Sequence, residues 1–323
     1  MEKELELSRL IFVPQYPTKC RYQEWWFTEF PKQFKKHFDE VCVLGESYIE
    51  RLKRRGTSKR GELKTFAPIY DSIRFEFEQI GELYRIELRK GDTLFLSDLS
   101  FPGMFGSYLY HIPYGVKKYA YCHATSLNTL DYFEKDRDSK FLVETGYSKL
   151  FDKVFVGSEY HKEKLGWDNV EVIGLPAPTI IKPRGYVNKT FDIVSVCRPN
   201  DQKIDIELEK KVEERFGKIK RRMFDDWTEY SRFLSSAKIL LISSIEDTFN
   251  YTIMDALKCK CFPLAPTRLC FPEILSPLYL YWNEESLYRK IENMLNGKIL
   301  FHPEMKCQDM VDNFYETLCE RMA

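Results

Sequence analysis

Short apolar runs alternate along this chain with longer segments in which apolar side chains recur every three or four positions. Leu10-Ile11-Phe12-Val13 is a run of strand length, and residues 22–38 repeat apolar positions at helical spacing, with Pro31 starting or breaking the helix. Residues 41–45 form a second run, so the chain opens as β-α-β. The same reading places strands at 93–97, 118–122, 153–157 and 170–173, separated by segments of helix length. Alternation of this kind implies a parallel sheet covered by helices on both faces. Gly174-Leu175-Pro176-Ala177-Pro178 and Lys182-Pro183-Arg184-Gly185 then punctuate the chain as an interdomain linker does, which places a boundary near residue 180. Beyond it, strands are predicted at 193–197, around 218–222, at 239–243 and at 261–265. Two C-terminal helices, 284–296 and 305–322, are expected to pack against one or both domains.

Length agrees with this division, because 323 residues exceed what one core usually supports; the expected domains are 1–180 and 181–323. A hydrophobic content of 44%, with 24 Phe and 20 Tyr, supports packed cores rather than disorder. The formal charge is zero, so no global field draws the protein to nucleic acid or membrane, and such a partner must be met by a local patch. One patch qualifies. Residues 51–64 carry seven Lys and Arg in fourteen positions on a Gly-punctuated stretch, which suits a phosphate backbone with salt-sensitive affinity; the plainer reading is a solvated loop.

Nine cysteines lack paired spacing, and Cys42, Cys122 and Cys197 sit in apolar runs where thiols act as small hydrophobes, which fits a reducing cytoplasm. Cys259-Lys260-Cys261 has no matching Cys or His pair nearby, so a structural role is assigned and no metal site. The charged start, and the lack of any run near the ~20 apolar residues of a membrane span, argue against secretion and membrane insertion. No Gly-x-Gly-x-x-Gly or Walker loop is present, which counts against dehydrogenases and nucleoside triphosphatases.

Residues 240–259 are the most informative stretch: a buried strand, a polar loop, and a helix that opens on the loop. Asp247 lies in the loop and Asp255 about two turns along the helix at ~1.5 Å per residue, so both are expected to reach one bound molecule. A helix N-terminus suits a diphosphate, and carboxylates accept from sugar and ribose hydroxyls. The stretch is therefore a chemically sensible cradle for a nucleotide sugar.

Asp247-x7-Asp255, preceded by Ser243-Ser244 and followed by Ala256-Leu257-Lys258-Cys259, resembles the E-x7-E donor motif of retaining glycosyltransferases of the GT-B type, especially family four. Phe249-Asn250 stands where that family has Phe-Gly. Arg198-Pro199-Asn200-Asp201-Gln202-Lys203, after the strand at 191–197, resembles the family's G-R-L-x-x-x-K loop with the same Arg-to-Lys spacing. The resemblance implies an α/β fold of two Rossmann-like domains with parallel sheets facing across a cleft. The first would be the acceptor domain and the second the nucleotide-sugar domain, which here lacks one strand-helix unit.

It further implies that Arg198 and Lys203, at the C-terminal end of a strand where open parallel sheets bind ligands, neutralise the leaving diphosphate. Glu246, Asp247, Thr248, Phe249, Asn250 and Asp255 would hold the donor, with Asp247 or its neighbour Glu246 on the sugar; Asp in place of Glu shortens each acid by a methylene. His123 would contact the donor sugar from the first domain, its backbone carbonyl stabilising positive charge at the anomeric carbon. Ser158 resembles the Ser that starts a helix after the last strands of the first domain, where an N-cap is the simplest role. The loop before Tyr22 replaces the family's Gly-rich loop and offers Lys19 and Arg21 as charges, with Tyr16 and Tyr22 as stacking faces. Asp98 ends another strand as an acceptor-side base or hydrogen-bond partner. No cofactor or metal is required, and a nucleoside-diphosphate sugar is the donor. The expected acceptor is a hydroxylated nucleic-acid base, as in virus-type glucosylation of hydroxymethylated DNA; tRNA, protein and polysaccharide are alternatives. A degenerate member that binds nucleotide or nucleic acid without turnover is the non-enzyme alternative, and either would work in the cytoplasm.

Overall fold

The computed structural model describes residues 8–54, 69–128, 134–182, 188–196, 203–299 and 305–323 of the chain. Its first half runs β1 (Arg9–Val13), α1 (Tyr22–Phe34), β2 (Glu40–Val43), α2 (Glu46–Arg54), α3 (Ile69–Leu83), β3 (Thr93–Leu96), α4 (Phe105–Tyr108), β4 (Lys117–Tyr121), α5 (Arg137–Ser148), β5 (Lys153–Val156), α6 (Glu159–Leu165) and β6 (Val170–Val172). These strands pair in parallel in the order β2-β1-β3-β4-β5-β6. The second half runs β7 (Phe191–Ser195), α7 (Ile206–Phe216), β8 (Lys220–Arg221), α8 (Trp227–Ser235), β9 (Ala237–Leu241), α9 (Tyr251–Lys258), β10 (Phe262–Pro266), α10 (Phe271–Ile274) and β11 (Leu280–Tyr281). It forms a second parallel sheet in the order β11-β10-β9-β7-β8. Helices α11 (Glu284–Leu295), α12 (Gln308–Asp312) and α13 (Phe314–Met322) follow.

The strand sequences explain the two-sided burial. Successive side chains of a strand point to opposite faces, and in β1 Leu10, Ile11 and Phe12 are all fully buried. Leu10 and Phe12 join Phe95, Tyr119, Tyr121 and Phe155 on one face. Ile11 and Val13 join Leu94, Leu96, Ala120 and Val154 on the other. The aromatic face is covered by α1, where Phe30 and Phe34 lie 6.0 and 5.3 Å from Phe12 between ring centroids. Each such buried ring contributes about 1.5–3 kcal/mol.

That aromatic cluster continues without a break into the core of the second sheet, through Ile239, Leu240 and Phe271. The last helix helps to join them: α13 returns to the first sheet, with Phe314 5.9 Å from Phe30 and Tyr315 5.2 Å from the same ring. Arg321 then donates to Glu171 at 2.6 Å.

Several boundaries differ from the sequence expectation. The helix expected over 22–38 ends at Phe34, because Phe38 folds back to bury itself against Phe34 through hydrogen bonds that close on the Phe34 carbonyl. The helix expected over 305–322 is two, α12 and α13, divided at Asn313. Arg51, Lys53 and Arg54 of the basic stretch form the last turn of α2 rather than a loop, and Arg51 and Arg54 pair with Glu78 and Glu50. The rest of that stretch lies outside the described residues. After β2 the chain turns at Gly45, whose φ of +84° places it where a Cβ would strike the Phe75 ring at 2.4 Å.

Candidate active site

Both sheets share one strand order, with the second strand outside the first and the third on its inner side. Connections therefore leave in opposite directions between β1 and β3, and again between β7 and β9. Crevices at such reversals, beyond the C-terminal ends of the strands, are where open parallel sheets take ligands. The loops at these two points carry most of the residues singled out from the sequence, and the loop after β9 is met from the first lobe by the segments that follow β4 and β5.

In the second lobe, the segment after β7 is tied to the loop after β9. Ile204 bridges Ser244, Ile245 N–H donates to the Lys203 carbonyl at 3.0 Å, and Asp205 N–H donates to Ser243 at 2.9 Å. These bonds set Lys203 beside the loop of Asp247. Arg198 lies outside the described residues. The Asp247 carboxylate accepts from Thr248 N–H at 3.1 Å and from the Asn250 amide at 2.7 Å. Asn250 in turn N-caps α9 through Thr252 N–H.

Asp255 departs from the expectation that both acids reach one molecule. Its side chain is 5% exposed and faces α8, where Oδ2 accepts from the Tyr230 hydroxyl at 2.7 Å. Its Oδ1 is buried with no hydrogen-bond partner. Burial pushes the Asp255 pKa up to about 7, against the opposing effects of the Tyr230 hydrogen bond and the charge of Lys258. The two acids of the motif thus face different surroundings, the shorter Asp side chain staying among the helices.

Glu246, Thr248 and Phe249 reach the first lobe. Glu246 accepts from Lys164 at 2.7 Å and from the Asn128 amide at 3.2 Å. The Thr248 hydroxyl donates to the His123 carbonyl at 2.6 Å, so the carbonyl expected to face the anomeric carbon holds this bond. Ser158 caps α6, accepting from His161 N–H, and its hydroxyl donates to the Thr248 carbonyl at 2.6 Å. Phe249 lies over Gly157, where a Cβ would come within 2.9 Å of the ring. From the second lobe Glu273 also accepts from Glu159 and Tyr160 N–H at 2.7 and 2.8 Å.

His123 sits at the end of β4 in an aromatic cage. Its ring lies 4.4 Å from Tyr22, 4.6 Å from Trp26 and 4.6 Å from Tyr121. Burial, with a smaller effect of His161, pulls its pKa down to about 3, so the imidazole is neutral at physiological pH. Its Nε2 is buried without a partner. Tyr22 stacks on Tyr251 of α9 at 5.7 Å, and the Trp26 indole donates to the Tyr251 hydroxyl at 2.6 Å. Tyr22 is therefore a contact between the lobes.

The remaining acceptor-side residues divide. Tyr16 offers no open face, because it is buried in a cluster with Phe27, Tyr48, Ile49 and Phe75 and burial pushes its hydroxyl up to about 12. Lys19 is exposed and Arg21 is half-buried beside it. Asp98 accepts from the Gln15 amide at 2.6 Å and from Ser100 N–H at 3.1 Å. Burial raises its pKa well above the usual carboxylate range, aided by Glu144 and Glu76 and opposed by the backbone N–H groups of Ser100 and His123. Asn128, Lys164, Glu273 and Tyr251 were not singled out from the sequence: each is an ordinary helix or loop residue until the lobes meet.

Among the described residues no group of three or more His, Cys, Asp or Glu is placed to hold a metal ion. Nor is any described helix long and apolar enough to cross a membrane.

No known family's sequence profile matches the chain. Over 123 residues it is 26% identical to tRNA-queuosine alpha-mannosyltransferase of Drosophila melanogaster; the match covers 38% of this chain and 31% of that protein, so it spans less than a third of the relative's length. In three dimensions it is similar to sucrose-phosphate synthase from Thermosynechococcus elongatus, with a TM-score of 0.66 and 11% identity over 98% of this chain and 97% of that one. It is also similar to Anabaena HepE, solved in complex with UDP and glucose, with a TM-score of 0.60 and 8% identity over 98% and 95%. Identities this low carry the fold alone: the chain has the GT-B architecture, two Rossmann-like domains whose parallel sheets face across a cleft.

Proposed function

We propose that this protein is a glycosyltransferase that takes a sugar from a nucleoside-diphosphate sugar bound between its lobes. The observation that carries the reading is the approach of the first lobe, through the segments after β4 and β5, to the loop of Asp247 at the reversal between β7 and β9, where the Lys203 backbone is bonded to the same loop. A fold shared with a protein solved with UDP and glucose supports such a donor. In this reading Lys203 and Arg198 offset the charge that develops on the departing diphosphate as the bond to the anomeric carbon breaks. Asp247 accepts from sugar hydroxyls, and the neutral His123 borders the sugar from the first lobe. Retention of the anomeric configuration, and independence of any metal, belong to the same proposal.

For the acceptor, a hydroxylated nucleic-acid base remains the proposal. The sequence match to an enzyme named for queuosine in tRNA favours tRNA over modified DNA. A basic stretch at 51–64 supports contact with a phosphate backbone in either case. All eight described cysteines are free, which supports work in a reducing compartment such as the cytoplasm.

The test is direct. Protein is incubated with UDP-glucose or GDP-mannose and with tRNA, hydroxymethylated DNA or small glycosides; nucleoside diphosphate release and the masses of digested nucleosides are read, and product NMR gives the anomer. The expected result is one hexose added to a tRNA nucleoside, lost in Arg198→Ala. A hexose on DNA alone returns the acceptor to modified DNA. A chain that binds nucleotide yet releases none of its sugar with any acceptor is a binding protein, and the proposal fails.

A further inference from the structure

The loop after β9 divides its side chains between two tasks. Asp247 and Asn250 are bonded to each other within the loop, whereas Glu246 and Thr248 on either side of Asp247 reach into the first lobe. Glu246 is 7% exposed there, and both of its oxygens accept from the first lobe: one from Lys164 on α6, the other from Asn128 after β4. The Lys164 side chain is itself only 18% exposed. A pair this well removed from water is not screened as a surface pair is, so losing one partner costs more than at the surface.

We propose that Lys164 and Asn128 are positioning residues for the donor loop: by holding Glu246 from the opposite lobe they set the backbone that presents Asp247, so that the loop takes its binding shape only when the lobes are closed. Glu246 is then a positioning residue as well, and the sugar falls to Asp247. The functional half of this statement rests on the donor site proposed above; the mechanical half does not. Four further bonds act in the same sense, from Thr248 to His123, from Ser158 to Thr248 and from two α6 N–H groups to Glu273. Of the set, the Lys164–Glu246 pair is the one whose sign can be exchanged, which makes it the element to test.

Hydrogen–deuterium exchange of residues 242–250 is followed in the full chain and in Lys164→Glu, Glu246→Lys and the double exchange K164E/E246K. Each single reversal sets like charges together and is expected to speed exchange in the loop by about tenfold, with the double exchange returning it toward wild type. Titration with UDP and with GDP is expected to follow the same order for whichever nucleotide the wild type binds. Asn128→Ala, which removes a neutral hydrogen bond, is expected to give a smaller effect of the same direction. Unchanged exchange in Lys164→Glu overturns the proposal. So does a double variant as fast as the singles, which would make the pair a generic packing contact. Exchange that responds in a protein that transfers no sugar preserves the latch and removes the proposed function; active protein with a silent loop does the reverse.

Discussion

A carboxylate that leaves water must recover its solvation from neighbours, and Asp255 recovers it at one oxygen only, from the Tyr230 hydroxyl. Its pKa is raised to about 7 from a usual value of 3.8, so between these pH values the folded protein holds a proton that the unfolded chain has released. Stability from this site is therefore complete at acid pH and is lost as pH rises to about 7. Asp255→Asn keeps an acceptor for Tyr230 and cannot titrate. From pH 5 to pH 7 the wild type is expected to lose roughly 2–3 kcal/mol relative to the variant, at 1.36 kcal/mol per pH unit. Urea melts at several pH values measure this, and parallel slopes for the two proteins would refute it. Glu76 of α3, raised to about 7 by burial, tilts both proteins equally and cancels in the comparison. The variant is also informative for function, since an Asp255 committed to Tyr230 should leave nucleotide affinity nearly unaltered when it is replaced.

At the scale of elements, α1 is a piece that bonds to both lobes. Trp25 donates to Thr179, Trp26 to Tyr251, and Glu24 accepts from Trp227, while Phe30 lies under Phe314 of α13. Tyr251→Phe would leave the Trp26 indole N–H buried without an acceptor and is expected to cost about 1–3 kcal/mol. Phe314→Ala opens a cavity in the cluster that both lobes share, at about 3–5 kcal/mol. Because that cluster is continuous, both variants are expected to shift a single urea transition rather than split it in two; a first transition in which only one lobe unfolds would show that the lobes do not share a core. Helical periodicity made α1 legible in the sequence, and apolar runs did the same for the central strands. It was silent on where α13 docks, because an apolar stripe states that a helix must be covered and not by what. Tyr16 misled for a related reason: a tyrosine in a polar loop reads as a free ring, and only the placement of Phe75 on α3 turns it inward.

On the scale of the whole molecule, a repeated strand order makes two similar lobes into one cleft. Strand–helix alternation carried the parallel sheets, and the loop of Asp247 was legible after β9, whereas Asp255, read as part of the same cradle, faces α8. The bonds between lobes were not legible, since Asn128 and Lys164 acquire their meaning only opposite Glu246. One measurement tests the cleft as a donor site. Lys203 follows the strand whose end faces the loop of Asp247, and in the proposed function it lies with the diphosphate while Asp247 lies with the sugar. A hydrogen bond to a charged group is worth about 1.5–3 kcal/mol, so Lys203→Ala is expected to weaken binding of the free nucleoside diphosphate by roughly 10- to 100-fold. Asp247→Asn is expected to leave that affinity nearly intact and to lower turnover of the nucleotide sugar. Calorimetry with UDP and GDP, beside initial rates with the corresponding sugar donors, separates the two effects. If Lys203→Ala binds nucleotide as tightly as wild type, the diphosphate does not lie at the reversal between β7 and β9, and the crevice in the second lobe must serve something else.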